Sequence, residues 1–294
     1  MAIAYASHQY AEGSAGTTLT ITKPTSLAVG DLMLAVLSVG NTTAWTTLSG
    51  WTAVGSTVIS SNFPTRMNLM AKIADSGDTA ASNFTFTGGA SGEPKMGVIY
   101  RITGNFAGSS TPTDFMVVDT DNSVTPSGGT VTFPGGVTPL AASALLVFAI
   151  TCGESPGADA PQFSSHAVAN SNPTWTEDVD EGLQVGAFMN MGTAHATFSV
   201  ATTTGAYSVA SGRTSVHGGA LVAINETTNG SVTLDVASMT ATPQAPTVTG
   251  GATVTLDVAS VTATAQTMTA AATAAKWVNT DKSSAGTITN PDKS

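Results

Sequence analysis

Leu32-Met-Leu-Ala-Val-Leu-Ser-Val39 is a continuous apolar run that begins directly after the turn residues Gly30-Asp31. A short run of this kind, bounded by turn chemistry, reads as a β-strand buried on both faces. The segments around it are strand-like too. Thr17-Thr-Leu-Thr-Ile-Thr22 alternates with period two, apolar on one face and hydroxyl on the other. Trp51-Thr-Ala-Val-Gly-Ser-Thr-Val-Ile59, Arg66-Met-Asn-Leu-Met-Ala-Lys-Ile73, Phe84-Thr-Phe86 and Met96-Gly-Val-Ile-Tyr-Arg-Ile102 complete the first half.

The second half replays this order. Ala144-Leu-Leu-Val-Phe-Ala-Ile150 matches the run at 32–39, and Thr174-Trp-Thr176 matches Gly50-Trp-Thr52. Leu183 to Met191 is expected where Arg66 to Ile73 stood, Ala196-Thr-Phe-Ser-Val200 for Phe84 to Phe86, and Ala220-Leu-Val-Ala-Ile224 for Val98 to Ile102. Phe115-Met-Val-Val118 and Gly129-Thr-Val-Thr-Phe133 fall in a Pro/Gly-rich bridge between the halves. Two sets of strands, each with one fully buried run, suit two sheets packed face to face. The fold class is all-β: a jelly-roll-like β-sandwich over residues 1–226, followed by a short repetitive β-rich segment over 227–294. Two tandem small sandwiches are the alternative.

Composition agrees. Only 10% of residues are charged, against roughly a quarter in ordinary soluble domains, so Thr, Ser, Asn and Gly must cover the surface. The net charge of −10 disfavours nucleic acid, which needs clustered Lys and Arg, and equally disfavours anionic lipid. The single cysteine, Cys152, excludes an internal disulfide and reads as a small buried hydrophobe. The N-terminus lacks the basic and apolar regions of a signal peptide, and the longest apolar stretch is too short to span a bilayer. The expectation is a protein made without an export signal and not inserted in a membrane.

The C-terminal segment repeats itself. Val232-Thr-Leu-Asp-Val-Ala-Ser-Met-Thr-Ala-Thr242 returns as Val254-Thr-Leu-Asp-Val-Ala-Ser-Val-Thr-Ala-Thr264, a period of 22, within residues 232–273. Within 277–294, Asn279-Thr-Asp-Lys-Ser283 returns as Asn290-Pro-Asp-Lys-Ser294. Val232, Leu234 and Val236, with Val254, Leu256 and Val258, share one face of an extended strand. Such segments cannot bury a core one copy at a time and need a partner. These six residues, with Trp277 and the locally concentrated cations Lys276, Lys282 and Lys293, are the candidate assembly residues.

Signals for chemistry are weak. Gly153-Glu-Ser-Pro-Gly157 matches the G-x-S-x-G nucleophile elbow, but Pro156 lacks the N–H that an oxyanion hole needs, and no helix pattern follows. His8, His166, His195 and His217 are scattered, without metal-ligand spacing, and read as structural or solvent-facing. The acidic clusters Glu177-Asp-Val-Asp-Glu181 and Asp119-Thr-Asp-Asn122 read as solvated loops, with calcium as the alternative. Trp51 and Trp175, equivalent in the two halves, read as core; Trp45 is the candidate platform for stacking a glycan. No cofactor is expected.

Several blocks together resemble structural proteins of tailed bacteriophages. Gly30-Asp-Leu-Met-Leu-Ala-Val, Gly50-Trp-Thr, Met67-Asn-Leu-Met-Ala-Lys, Phe84-Thr-Phe and Ile99-Tyr-Arg-Ile-Thr-Gly104 look like a jelly-roll module of phage and bacterial surface proteins. Trp277-Val-Asn-Thr-Asp-Lys-Ser and Ile288-Thr-Asn-Pro-Asp-Lys-Ser294 resemble the W-x-N-x-x-K-S type repeats that close phage tail and virion proteins. The resemblance implies a non-enzymatic virion protein, either a capsid decoration or fibre or a tail component. It would partner itself, with a trimer favoured, other virion proteins and host surface glycan. A glycan-binding adhesin or receptor-binding protein is the alternative, and a hydrolase at Ser155 the third reading.

Overall fold

The computed structural model describes residues 3–60, 63–106, 111–124, 129–154, 162–185 and 187–226. Chain contacts divide the protein into Met1–Gly230 and Ser231–Ser294, and every described residue lies in the first unit. The candidate assembly residues Val232, Leu234, Val236, Val254, Leu256, Val258, Lys276, Trp277, Lys282 and Lys293 lie outside the described residues, as does Ser155 of the elbow-like motif.

The architecture is all-β and sandwich-like. Seven strands form the first half: β1 (Ala4–Gly13), β2 (Thr18–Thr22), β3 (Leu32–Val39), β4 (Thr52–Ile59), β5 (Thr65–Ile73), β6 (Asn83–Thr87) and β7 (Lys95–Thr103). Eight form the second: β8 (Met116–Val124), β9 (Thr130–Phe133), β10 (Ala144–Glu154), β11 (Phe163–Val168), β12 (Thr176–Val185), β13 (Ala187–Phe198), β14 (Tyr207–Ser211) and β15 (His217–Ile224). One five-stranded sheet has the order β1-β7-β3-β5-β4, and the other β8-β15-β10-β13-β12 when read in the matching sense. The topology is therefore duplicated: β1 corresponds to β8, β3 to β10, β4 to β12, β5 to β13 and β7 to β15. The smaller sheets match as well, β2-β6 against β9-β14, with β11 added to the second.

This duplication corrects three expectations. Met116–Val118 and Thr130–Phe133 belong to β8 and β9, the counterparts of β1 and β2, rather than to a bridge. Leu183 to Met191 spans the turn from β12 to β13, so the counterpart of β5 starts later than expected. The counterpart of β6 is β14, and Ala196–Phe198 ends β13. These segments differ in length between the halves, and their short alternating patterns carry no register of their own. The helix α1 (Ser76–Ala80) is too short for periodicity to reveal; a capping box between Asp75 and Asp78 starts it.

Alternation along β3 and β10 assigns each side chain to a core. Leu32, Leu34 and Val36 of β3 meet Leu145, Val147 and Ala149 of β10 in a central core between the two five-stranded sheets. Their other faces build separate outer cores. Met33, Ala35 and Leu37 pack under β2-β6 with Leu19, Ile21, Phe84 and Phe86. Leu146, Phe148 and Ile150 pack under β9-β14-β11 with Val131, Phe133, Phe163 and Val209. Every residue of β3 is buried, which explains an apolar run interrupted only by Ser38.

Trp51 lies in the first outer core, its ring edge-on to Phe84 and Phe86 at 5.7 and 5.4 Å. Trp175, its counterpart, packs half-buried against the second. Cys152 is buried in the same second outer core. Gly97 and Gly219 occupy matched positions in β7 and β15, and at both a Cβ would strike side chains of the outer layer within 3 Å, Leu37 and Leu19 at one and Phe133 at the other.

Phe148 is 1% exposed and touches the rings of Phe133, Tyr207, His166 and Trp175. Phe148→Ala should cost about 3–5 kcal/mol, read as a lowered urea midpoint, because the surrounding rings cannot close the cavity.

Candidate functional site

Where the two five-stranded sheets meet, β4 lies over β8 at one edge and β1 and β7 lie over β12 at the other. The ladder registers make these edges equivalent residue by residue. β4 and β12 each carry a bulge three residues after their tryptophan: Val54 is the extra residue in one and Asp178 in the other. Thr52 pairs with Ala71 where Thr176 pairs with His195, and Gly55 pairs with Leu69 where Val179 pairs with Thr193. Tyr100 and His8 of β7 and β1 stand where Val222 and Val118 stand in β15 and β8, and Tyr5 stands where Met116 does.

The first edge is apolar: Val54, Leu69, Ala71, Met116, Val118 and Val222 all pack on the central core. The second carries Asp178, Thr193, His195, Tyr5, His8 and Tyr100 at the same positions. At these six positions the first edge is hydrocarbon, with Thr57 Oγ1 donating to the Asp121 carbonyl at 3.0 Å farther along, so the packing there shows no need for an acid and two imidazoles at the other edge.

These side chains converge on Asp178, whose carboxylate is 3% exposed. His195 Nδ1 lies 2.8 and 2.9 Å from the two carboxylate oxygens and, since a carboxylate only accepts, it is the protonated nitrogen. Tyr100 donates to Asp178 Oδ2 at 2.9 Å and lies 2.6 Å from Thr193 Oγ1. Tyr5 stacks on the His195 ring with centroids 4.0 Å apart, and its hydroxyl is bonded to His8 Nδ1 at 2.9 Å. His8 Nδ1 is 3.9 Å from Asp178 Oδ1. Burial, reinforced by the Asp178 charge, holds both tyrosine hydroxyls above their ordinary range, Tyr100 well above it. They therefore serve as fixed donors rather than as bases.

Sequence reasoning treated His8 and His195 as unrelated, because the bulge and the sheet pairing that unite them act across distant segments. One signal was available. Trp51-Thr-Ala-Val54 aligned on Trp175-Thr-Glu-Asp178 places an acid where its repeat has valine.

Other expectations change. Trp45 is 3% exposed, packs in the first outer core and presses against Gly88, where a Cβ would fall 2.5 Å from its ring. It is no glycan platform, because its stacking faces are covered by its own fold. Residues 119–122 and 177–181 lie in β8 and β12 and are not loops. Burial, with Asp121 beside it, raises Asp119, and burial raises Asp180, whose Oδ2 accepts from the Phe163 N–H at 2.9 Å. Among the described residues, no group of three or more His, Cys, Asp or Glu side chains is arranged to hold a metal ion. No helix among them is long and apolar enough to cross a membrane.

His166 and His217 face the second outer core. His166 lies edge-on to Phe148, and His217 Nε2 is bonded to Ser211 Oγ at 3.0 Å. Burial lowers both to about 4, against a weak opposing pull from Asp178 on His166.

Set beside protein-family models, curated proteins and solved structures, the chain matches none of them.

Two outcomes follow from these side chains. Asp178→Val, which copies its counterpart, should cost about 1–3 kcal/mol by stranding the His195 Nδ1–H and leaving the Tyr100 hydroxyl with Thr193 Oγ1 alone. Adding His195→Ala should cost less than the two single changes summed, and a double-mutant cycle in urea measures that coupling. Well above pH 6.5 neither His166 nor His217 is protonated in either state. As pH falls from there to about 4, the unfolded chain takes up protons that the folded one refuses. Stability should drop over that window by up to on the order of 3 kcal/mol per histidine. The raised carboxylates work in the opposite sense, so the check is the slope of urea midpoint against pH, which His217→Gln should flatten.

Proposed function

We propose that this chain is a non-enzymatic structural protein of a tailed-phage particle. Residues 1–226 form the displayed body, and the repeats in 227–294 mediate attachment or oligomerisation, as in a capsid decoration or fibre or a tail component. The observation that carries this reading is the combination of a body already covered layer by layer with two near-identical 11-residue segments, spaced 22 residues apart, after it. Residues up to Ile224 cover both faces of each five-stranded sheet. In this reading Val232–Val236 and Val254–Val258 pair with another chain, by strand addition at an edge backed by the Val/Leu face expected from their sequence. Lys276, Lys282 and Lys293 would meet an acidic surface on that partner. A homo-oligomer, with a trimer favoured, and other virion proteins are the partners this reading entails.

Two experiments bear on it. Immunogold labelling of purified particles with antibody to residues 1–226 should mark the head or the tail, and particles without label would remove the virion reading. Replacing Lys276, Lys282 and Lys293 together with Ser should lower incorporation into particles several-fold, measured by quantitative immunoblot; unchanged incorporation would remove the docking role of these lysines.

A further inference from the structure

The duplicated fold places a groove at the same point of both edges, and the two grooves differ in chemistry. The first, about 550 Å³, is lined by Gly50, Thr52, Lys72, Ile73 and Asp75 among others. The second, about 470 Å³, is lined by the counterparts Thr174, Thr176, Ala196, Thr197 and Ser199, with His195, Ser171, Asn172 and Pro173. The matched residues follow from the ladders, in which Leu32–Ile73 and Met33–Lys72 correspond to Leu145–Thr197 and Leu146–Ala196.

The first groove is occupied by its own ion pairs, with Lys72 Nζ 3.0 Å from Asp75 and 2.8 Å from Asp78. Ile73, Pro112 and the exposed Val29 complete its wall. In the second, alanine replaces the lysine and threonine replaces the isoleucine. Its wall contains no Lys, Arg, Asp or Glu, and its polar residues are five that carry hydroxyls, Asn172, whose Oδ1 already accepts from Val168 N and Trp175 Nε1, and His195, whose side chain is 15% exposed. Asp178 fixes that ring through Nδ1, and Nε2 has no protein partner among the described residues. Tyr5 stacked on the ring limits its rotation.

We infer that the second groove binds a neutral saccharide. Hydroxyls that both donate and accept, spaced along two chain segments, match the alternating donors and acceptors of a sugar ring. Pro173 supplies a small apolar patch for its C–H faces. An anionic ligand would find no side-chain cation in the wall other than an imidazole already committed to a carboxylate. The anchored His195 is a positioned hydrogen-bonding group, which reduces the ordering cost of binding. The buried polar set behind it, absent from the other edge, is what holds it in place. The inference takes only its biological setting, contact with a cell surface, from the display reading above.

The test is binding of the full chain to an array of neutral hexose and N-acetylhexosamine oligosaccharides, with sialylated and sulfated glycans alongside, followed by calorimetry on the best neutral member. Binding to neutral glycans is expected, at least tenfold weaker in Thr176→Val/Thr197→Ile, which installs at 197 the side chain its counterpart already carries. His195→Ala, copying Ala71, should also weaken it at least tenfold. Lys72→Ala, in the other groove, should leave it unchanged. Thermal melts of each variant show that the fold is intact. Absence of binding to every neutral glycan, binding to acidic glycans alone, or affinity unchanged in the Thr176→Val/Thr197→Ile protein overturns the inference. Particle labelling is read separately, so either proposal can fail while the other stands.

Discussion

The central contact between two five-stranded sheets is the constraint on which the rest of the molecule depends. A sheet that buries one face against a twin still exposes its other face, and β3 and β10 carry hydrocarbon on both. Each sheet therefore requires an outer cover: β2-β6 on one side and β9-β14-β11 on the other. The tight glycines Gly97 and Gly219 follow from the same requirement, because they let outer-layer side chains reach the strand backbone. Exposed Thr on β2 and β6 faces water, consistent with a low-charge surface.

Duplication also offers a comparison within one chain. The two edges of the central interface share strands, register and bulges, so their differences report choices of side chain rather than of backbone. At Val54, Leu69, Ala71 and Val222 the edge is closed by hydrocarbon. At Asp178, Thr193, His195 and Tyr100 it is closed by hydrogen bonds around a carboxylate that is 3% exposed. Burying such a set costs desolvation that only complete pairing offsets, and an apolar closure of similar volume is often at least as stable. The polar closure therefore fixes the orientation of His195 without an expected gain in stability over the apolar one.

The same comparison separates two kinds of histidine. His195 sits at the polar edge with a carboxylate for partner, whereas His166 and His217 are embedded among rings of the second outer core and are held neutral by burial. The first outer core is built from Leu, Ile, Val, Ala, Met, Phe and Trp, with no histidine among its buried residues. Acid sensitivity from buried histidines is thus placed in the second repeat, beneath its three-stranded cover.

By itself the sequence determined that the chain is all-β, that Leu32–Val39 and Ala144–Ile150 are buried on both faces, and that the second half replays the first. Those conclusions rest on hydrophobic period and turn residues, which are local. Tertiary structure decided the rest. β8 and β9 became counterparts of β1 and β2 only through the order of strands in the sheets, since their own patterns are too short to fix a partner. Trp45 was assigned to the core by the closeness of Gly88, a contact no local pattern records. The gathering of Tyr5, His8, Tyr100, Asp178 and His195 depends on one bulge in β12 and on packing between sheets. Spacing along the chain carries no information about neighbours across an interface, because that proximity is set by ladder register and by which faces must be hidden from water.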